Sequence, residues 1–444
     1  METDYLIVGA GAMSMAFADV IFNEQPDAQM VIVDRRHRPG GHWTDAYPYV
    51  ALHQPAAFYG VNSAQLGQGG TDLASGPEIV SYYHLLMKRL LDSGRVRFLP
   101  MSEHIGDGRI VATADRTQIT EIHARRRIVD GGFMNVEVPS TTAPRYEVDA
   151  RVTLVPPNAL PRIASSWERY VIAGAGKTAT DAIVFLLDAG VAPERIQWIS
   201  PHDSWLWMRE KVQPGLALAE FMRHVESIVD ARSVDDIFLH LERTGSVCRI
   251  DESVMPEKWR CATISREEFS ALQRMRNQIV RLGRIRRIGT SQIELEHGSM
   301  PTDAGSLHVD CTANGLARKA PQPLFAPGRI TLQSIFMCQQ VFSAAIIAKL
   351  ALLNLDDAAR NAMCEVVPHP EYTRDHPTAM AASFRNLLNA NRHMPFWLRR
   401  SRLNLLHHEA LHRYLLGAAR LRRLMPQVEA AVARMRDPTN AAAA

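Results

Sequence analysis

Two short glycine-bearing stretches carry the chemistry most open to reading. Gly9-Ala-Gly11-Ala-Met-Ser14 and Gly174-Ala-Gly176-Lys177-Thr178-Ala179 share one spacing, Gly-x-Gly-x-x-small. Such a turn leaves backbone N–H groups uncovered at a helix N-terminus, where a dianionic pyrophosphate is favoured. Gly9 makes the turn, Gly11 lets the backbone approach the ligand, and small Ser14 lets helix and strand pack closely. Gly174, Gly176 and Ala179 repeat those roles, and Lys177 and Thr178 add polar groups at the helix start. A single copy also describes a ligand-free strand-to-helix turn, so the weight rests on the repetition.

The flanks show how the chain must position these turns. Tyr5-Leu-Ile-Val8 and Arg169-Tyr-Val-Ile-Ala173 are apolar runs of the kind buried in parallel strands. Met15 to Phe22 and Thr180 to Ala189 are helix-like, and Met30-Val-Ile-Val-Asp34 and Arg195-Ile-Gln-Trp-Ile-Ser200 are returning strands. The returning strands end 23 and 24 residues after the second glycine. The pattern therefore predicts two βαβ units of one plan, an α/β fold with two Rossmann-like dinucleotide sites. Asp34, followed by Arg35, can accept hydrogen bonds from free ribose hydroxyls. Ser200 replaces that acid in the second unit. His202, Arg209 and Lys211 follow and can pair with a 2′-phosphate, with Asp203 as an opposing signal, so the pattern favours NADPH over NADH.

Composition bounds the rest. At 444 residues and 46% hydrophobic content the chain supports two or three domains. A net charge of +3 with 22% charged residues excludes a disordered chain and a general nucleic-acid binder. Cys248, Cys261, Cys311, Cys338 and Cys364 form no C-x-x-C pair. This predicts no disulfide framework, zinc knuckle or dithiol redox pair, and fits the reducing cytoplasm. No run of 18 apolar residues predicts a membrane span, and Glu2 and Asp4 argue against a signal peptide. Residues 130 to 168 are rich in Pro and Thr, roughly 216 to 282 reads as mainly helical, and Ser306 to Asp310 and Arg329 to Gln333 read as strands. Gln339 to Leu353 reads as a buried helix, and the chain beyond about 356 as helical, with Ala441 to Ala444 frayed. Residues 385 to 437 carry 11 arginines against Glu409, Glu429 and Asp437, which reads as a solvated or inter-domain face before an anionic membrane or partner. His407, His408 and His412 lack an acid to complete a ligand set, so no metal site is expected. No serine has a Gly-x-Ser-x-Gly setting, which sets a hydrolase aside.

After Asp34 the chain continues Arg35-Arg-His-Arg-Pro-Gly40-Gly41-His-Trp43, then Tyr47-Pro48-Tyr-Val-Ala-Leu52-His53-Gln54-Pro55. Acid, spacer and Gly-Gly-x-Trp resemble the FAD domain of the flavin-containing and Baeyer–Villiger monooxygenases, and the resemblance covers about 1 to 350. It implies an FAD domain over 1–165 and 291–355, an inserted NAD(P)H domain over 166–290 and a C-terminal helical region over 356–444. It places FAD on the first turn and NADPH on the second. Gln54 matches an amide set over the flavin ring; Gly41 passes close to the ring and Trp43 walls it, with a core aromatic as the plain alternative. Val309-Asp310-Cys-Thr312-Ala-Asn-Gly315 resembles a late strand returning to the FAD domain, with Asp310 toward a ribityl hydroxyl or capping the strand. Gln340 starts a helix facing the flavin pyrimidine. His53 is an acid–base candidate because an unperturbed imidazole titrates near neutrality, with ordinary packing as its alternative. The segment Leu160 to Arg169 keeps Trp167 but lacks the family's Phe-x-Gly-x-x-x-His. The implied function is an NADPH-using FAD monooxygenase acting with O₂ on a small or medium organic substrate, as monomer or homo-oligomer. A flavin dehydrogenase, oxidase or reductase, and a flavin-bound non-catalytic protein, are the alternatives.

Overall fold

The computed structural model describes residues 1–163, 167–316 and 318–436. The expected domain boundary at 165/166 and the alanine tail 441–444 lie outside the described residues.

Strands buried on both faces favour parallel pairing. Every residue of Met30–Val33 is buried, and the strand pairs in parallel with Glu2–Val8. The first sheet runs Phe325–Ala326, Arg329–Thr331, His123–Asp130, Glu2–Val8, Met30–Val33 and Val96–Leu99, with only its outermost pair antiparallel. The second sheet runs Leu154–Val155, Ser306–Asp310, Arg169–Ala173, Ile196–Ile199 and Ile279–Val280, parallel throughout. Two largely parallel sheets, each with its own glycine turn, give the α/β architecture of two Rossmann-like units that the repeated motif predicts.

One strand lies elsewhere than expected. Ser306–Asp310 sits in the second sheet with Asp310 opposite Ala173, not in the first. All five of its residues are buried. A short strand buried on both faces suits the centre of either sheet, so the local pattern does not choose between them. The chain rejoins the first sheet through Phe325–Ala326 and Arg329–Thr331, the second against Ile128–Asp130.

The helix Ala12–Glu24 is buried continuously from Met13 to Ile21 and packs on Gln340–Ala351, whose all-round apolar sequence suits a helix enclosed on every side. The segment expected to be mainly helical is mixed. Helices Ala217–Asp230, Val234–Arg243 and Arg266–Gln273 alternate with the strands Val247–Cys248 and Lys258–Ile264, which flank Ser204–Met208. Between the pairs Trp205–Trp259 and Trp207–Thr263 one residue faces three, so Lys258–Ile264 bulges around Cys261. A disulfide joins Cys261 to Cys338, 77 positions apart. This corrects the expectation of no disulfide: spacing along the chain says nothing of pairs that tertiary folding brings together. Cys248, Cys311 and Cys364 are buried and free.

The chain closes with helices His376–His393, Pro395–Arg400 and Leu411–Arg436. Their arginine stripe is divided. Arg413, Arg422 and Arg423 face solvent. Arg420 pairs with Glu226 at 2.5 Å. Arg402 donates to the carbonyls of Ala57 (2.8 Å), Tyr59 (2.5 Å) and Val61 (3.1 Å) in a loop of the first unit. Among the described residues no helix is long and apolar enough to cross a membrane.

Candidate dinucleotide cleft

One cleft of about 1440 Å³ is lined by both glycine turns. That exceeds the roughly 300–1,000 Å³ typical of a pocket for one drug-sized ligand. In the first turn Gly9 has φ +94°, a left-handed conformation that glycine adopts without penalty. Gly11 caps the helix Ala12–Glu24. Gly41 comes so close that a Cβ built on it would lie 3.0 Å from Gly11 Cα. Ser14 is fully buried and its hydroxyl has no protein hydrogen-bond partner. Asp34 accepts from the N–H of Ala10 (2.6 Å) and of Arg36 (2.7 Å). It lines the cleft with Arg35 and retains carboxylate lone pairs for a ligand. Ser14 does not itself line the cleft; the cradle of glycines and the held acid fit a dinucleotide.

Past this turn the cleft is walled by Trp43, whose indole N–H donates to Tyr59 Oη at 2.8 Å. Gln54 Oε1 accepts from Gln339 Nε2 at 2.9 Å, beside the start of Gln340–Ala351. Gln340 Oε1 accepts from Ser334 at 2.9 Å, while Gln339 Oε1 and Gln340 Nε2 are buried without protein partners. Sequence candidates 286 positions apart thus meet at one helix N-terminus. His53 is also here, but it is no neutral-pH acid. Burial, reinforced by Lys177 and Arg209, pushes its imidazole down to about 4, so it stands neutral at pH 7.

At the second turn Gly174 has φ +131°, and a Cβ on it would lie 2.6 Å from the Cys311 carbonyl oxygen. The strand that ends at Asp310 forces that glycine. Gly176 caps Lys177–Asp188 and faces open space. Thr178 lines the cleft, and buried Ala179 packs the helix onto its sheet. Lys177 bonds Asp181 and reaches Glu268 at 2.9 Å; Arg209 meets Glu268 at 2.5 Å. Burial raises the Glu268 carboxyl, but Lys177 and Arg209 outweigh it and hold it at about 2. Tyr47, from the first unit, donates to Asp181 at 2.6 Å, tying the two units together.

Arg209 is therefore not beside Ser200, as its sequence position suggested. It is buried against Glu268, and its Nε donates to the His53 carbonyl at 3.0 Å. Ser200 is buried and donates to the His202 carbonyl at 3.0 Å. His202 lines the cleft, its pKa lowered by burial and then by Lys258 and Arg284. Asp203 is tied up by Arg281 at 2.8 Å, which removes the opposing signal. Arg284, exposed and lining the cleft, is one of several cations there that sequence reasoning missed. It follows the strand Ile279–Val280, which pairs beside Ile196–Ile199. Only that pairing brings it near Ser200. Asp310 is likewise corrected: it lies at the second turn and accepts from Thr312 Oγ1 (2.6 Å) and Tyr146 Oη (3.2 Å). Among the described residues one cluster has metal-ligand spacing, Cys261, Cys338 and His369, and His407, His408 and His412 form none.

No family model matches the chain. Among solved structures it is similar to an oxidized steroid monooxygenase bound to NADP, with a TM-score of 0.52, 13% identity and coverage of 97% of this chain and 98% of that one. A polycyclic ketone monooxygenase from the fungus Thermothelomyces thermophila gives 0.50 at 12% identity, over 96% and 88%. The OTEMO complex with FAD and NADP gives 0.51 at 13% identity, over 81% and 86%. At such identities the likeness is one of fold. The uncharacterized proteins Rv2000 of Mycobacterium tuberculosis and Mb2023 of Mycobacterium bovis are each 43% identical over 425 residues, covering 91% of this chain and 78% of theirs. The chain belongs to the family of these mycobacterial proteins, a divergent branch with the fold of the flavin-containing and Baeyer–Villiger monooxygenases.

Proposed function

We propose that the chain is an FAD-dependent, NADPH-using oxidoreductase of the cytoplasm, and that it acts as a monooxygenase on a small or medium organic substrate at N, S or a carbonyl carbon. The observation that carries this reading is the pair of glycine-capped helix N-termini opening into one cleft, with Gln54 and Gln339 in the same cleft. Gly9, Gly11, Ser14, Asp34, Arg35, Gly41 and Trp43 hold FAD. Gly174, Gly176, Lys177, Thr178, Ala179, Ser200 and His202 hold NADPH, with Arg284 toward its 2′-phosphate. The naming of a similar solved structure as a complex with FAD and NADP supports both cofactors.

Bound here, FAD would supply hydride acceptance from NADPH and electron transfer to O₂. The protein supplies the setting. The N-termini of Ala12–Glu24 and Lys177–Asp188 direct backbone N–H groups at the two pyrophosphates. The start of Gln340–Ala351 offers positive potential where a reduced flavin gathers charge. Gln54 offers an amide N–H to an oxygen species, its carbonyl already fixed by Gln339. Neutral His53 adds no charge to the site.

The test is anaerobic addition of NADPH to the yellow holoprotein, then O₂ with a panel of amines, sulfides and ketones. Bleaching by NADPH, then a product heavier by one oxygen atom drawn from ¹⁸O₂, is expected. Bleaching followed by recolouring with hydrogen peroxide alone would move the protein to the oxidase or dehydrogenase class.

A further inference from the structure

The Cys261–Cys338 bond sits in the dinucleotide cleft, and both cysteines line it. Cys261 occupies the bulge of Lys258–Ile264 with φ +56°, and Met337, directly before Cys338, has φ +39°. They are two of the four non-glycine residues with positive φ among the described residues. A side chain in that conformation is strained, and such strain clusters at working sites. Bulges serve the same end by re-aiming a side chain beside an active site. Cys338 is half-buried and immediately precedes Gln339, the partner of Gln54.

His369 completes the cluster: one of its ring nitrogens and both sulfurs lie within 4.8 Å of one another. Its Nδ1 is 3.0 Å from the Pro370 carbonyl, which can only accept. Nδ1 therefore carries the proton and Nε2 keeps a lone pair.

We propose that Cys261, Cys338 and His369 form a second two-electron redox centre, charged by NADPH through FAD, whose dithiol form reduces a small disulfide entering the cleft. This rests on the FAD and NADPH reading above. In the first half-reaction NADPH, one proton and the Cys261–Cys338 disulfide give NADP⁺ and two thiols: the S–S bond breaks and two S–H bonds form. In the second, one thiol attacks the substrate disulfide and releases a substrate thiol. The other then closes the Cys261–Cys338 bond and releases the second. Nε2 of His369 takes the proton of the attacking thiol and returns it to the departing one.

The chain contains its own internal count. Cys248, Cys311 and Cys364 are free, so denaturation in maleimide labels three cysteines when the pair is oxidised and all five when it is reduced. Holoprotein treated anaerobically with NADPH should bleach and move from three labels to five, consuming two NADPH per FAD. Cys338→Ser should consume one. Excess oxidised glutathione, added anaerobically after excess NADPH is removed, should recolour the flavin, return the wild type to three labels and release four glutathione thiols, two for each NADPH consumed. His369→Gln should reach the same end points, but close the bond roughly 100-fold more slowly and with a flatter pH profile. Bleaching with three labels retained would overturn the centre and leave the oxidoreductase reading standing. A flavin that NADPH leaves yellow would bring down that reading and the centre's electron source with it. Five labels before any reductant, with zinc in the purified protein, would make the cluster a metal site instead. Five labels that survive glutathione disulfide would overturn the disulfide-reducing activity.

Discussion

The two glycine turns share a backbone plan and differ in what crowds them. The first is enclosed: its helix is buried from Met13 to Ile21, Gly41 presses against Gly11, and Gln340–Ala351 covers the far side. The second is open at Gly176, where an added Cβ would meet nothing within 4 Å. Its first helical residue, Lys177, is held by Asp181 and Glu268 instead of by packing. The difference suits a retained redox group opposite a consumed reductant.

The harshest way to break this contrast is Gly11→Val. The protein has room for the first carbon, since Gly41 Cα is 3.7 Å from a built Cβ, so the fold should survive while the branched side chain enters the pyrophosphate path. FAD affinity should fall about 1,000-fold, some 4 kcal/mol, read from the ratio of flavin to protein absorbance with unchanged circular dichroism. A folded variant that keeps full flavin would remove FAD from this turn. Gly176→Val is the matching change on the open side. It should leave the protein yellow and raise the NADPH concentration needed for half-maximal bleaching roughly 100-fold. Loss of both cofactors together would show that the turns do not act separately.

The ion cluster under the second turn gives a pH signature that the first lacks. With Glu268 held at about 2, its ionised form favours the folded state. That stability is complete above the unfolded carboxyl value near 4.5 and is lost as pH falls through about 2. The contribution is on the order of 2 kcal/mol once partial solvent exposure is allowed for. Urea midpoints measured from pH 6 to pH 2.5 should fall more steeply for the wild type than for Glu268→Gln, and parallel curves would reject the assignment. The smallest effect is expected at Gln54→Ala, which leaves Gln339 without its partner but touches neither turn. NADPH bleaching should hold within about twofold while peroxide released per NADPH rises about tenfold, the scale of one lost hydrogen bond of about 1.4 kcal/mol. Unchanged peroxide release would make Gln54 a loop residue.

What could be read in the sequence follows the range of the interaction. Gly9, Gly11, Gly174 and Gly176 were legible because a turn and the helix after it are fixed by neighbours in the chain. So was Gln340–Ala351, whose apolar residues leave no polar face. The Ser306–Asp310 strand was legible as a strand but not as a member of the second sheet, since partners are chosen by topology. Arg209 was misplaced and Arg284 missed for one reason: a cation's partner is set by tertiary packing, here Glu268 for the first and the edge strand Ile279–Val280 for the second. The stretch from 247 to 264 was hidden inside a helical surrounding, and with it the bulge that delivers Cys261 to Cys338.

The arginine clasp has a consequence for how the protein is made. The carbonyls of Ala57, Tyr59 and Val61 find their donor in Arg402, whose Nε–Val61 bond spans 341 positions. Glu24 waits still longer for the indole N–H of Trp397, 373 positions on. On a ribosome adding about 5–20 residues per second, the loop carrying Gln54 is synthesised roughly 20–70 s before its last supports emerge. Through that interval its carbonyls are left to water and its apolar residues to whatever meets them first. The first dinucleotide unit is thus begun early and finished late, and a flavin that arrives during synthesis meets a site whose floor is laid and whose wall is not yet braced.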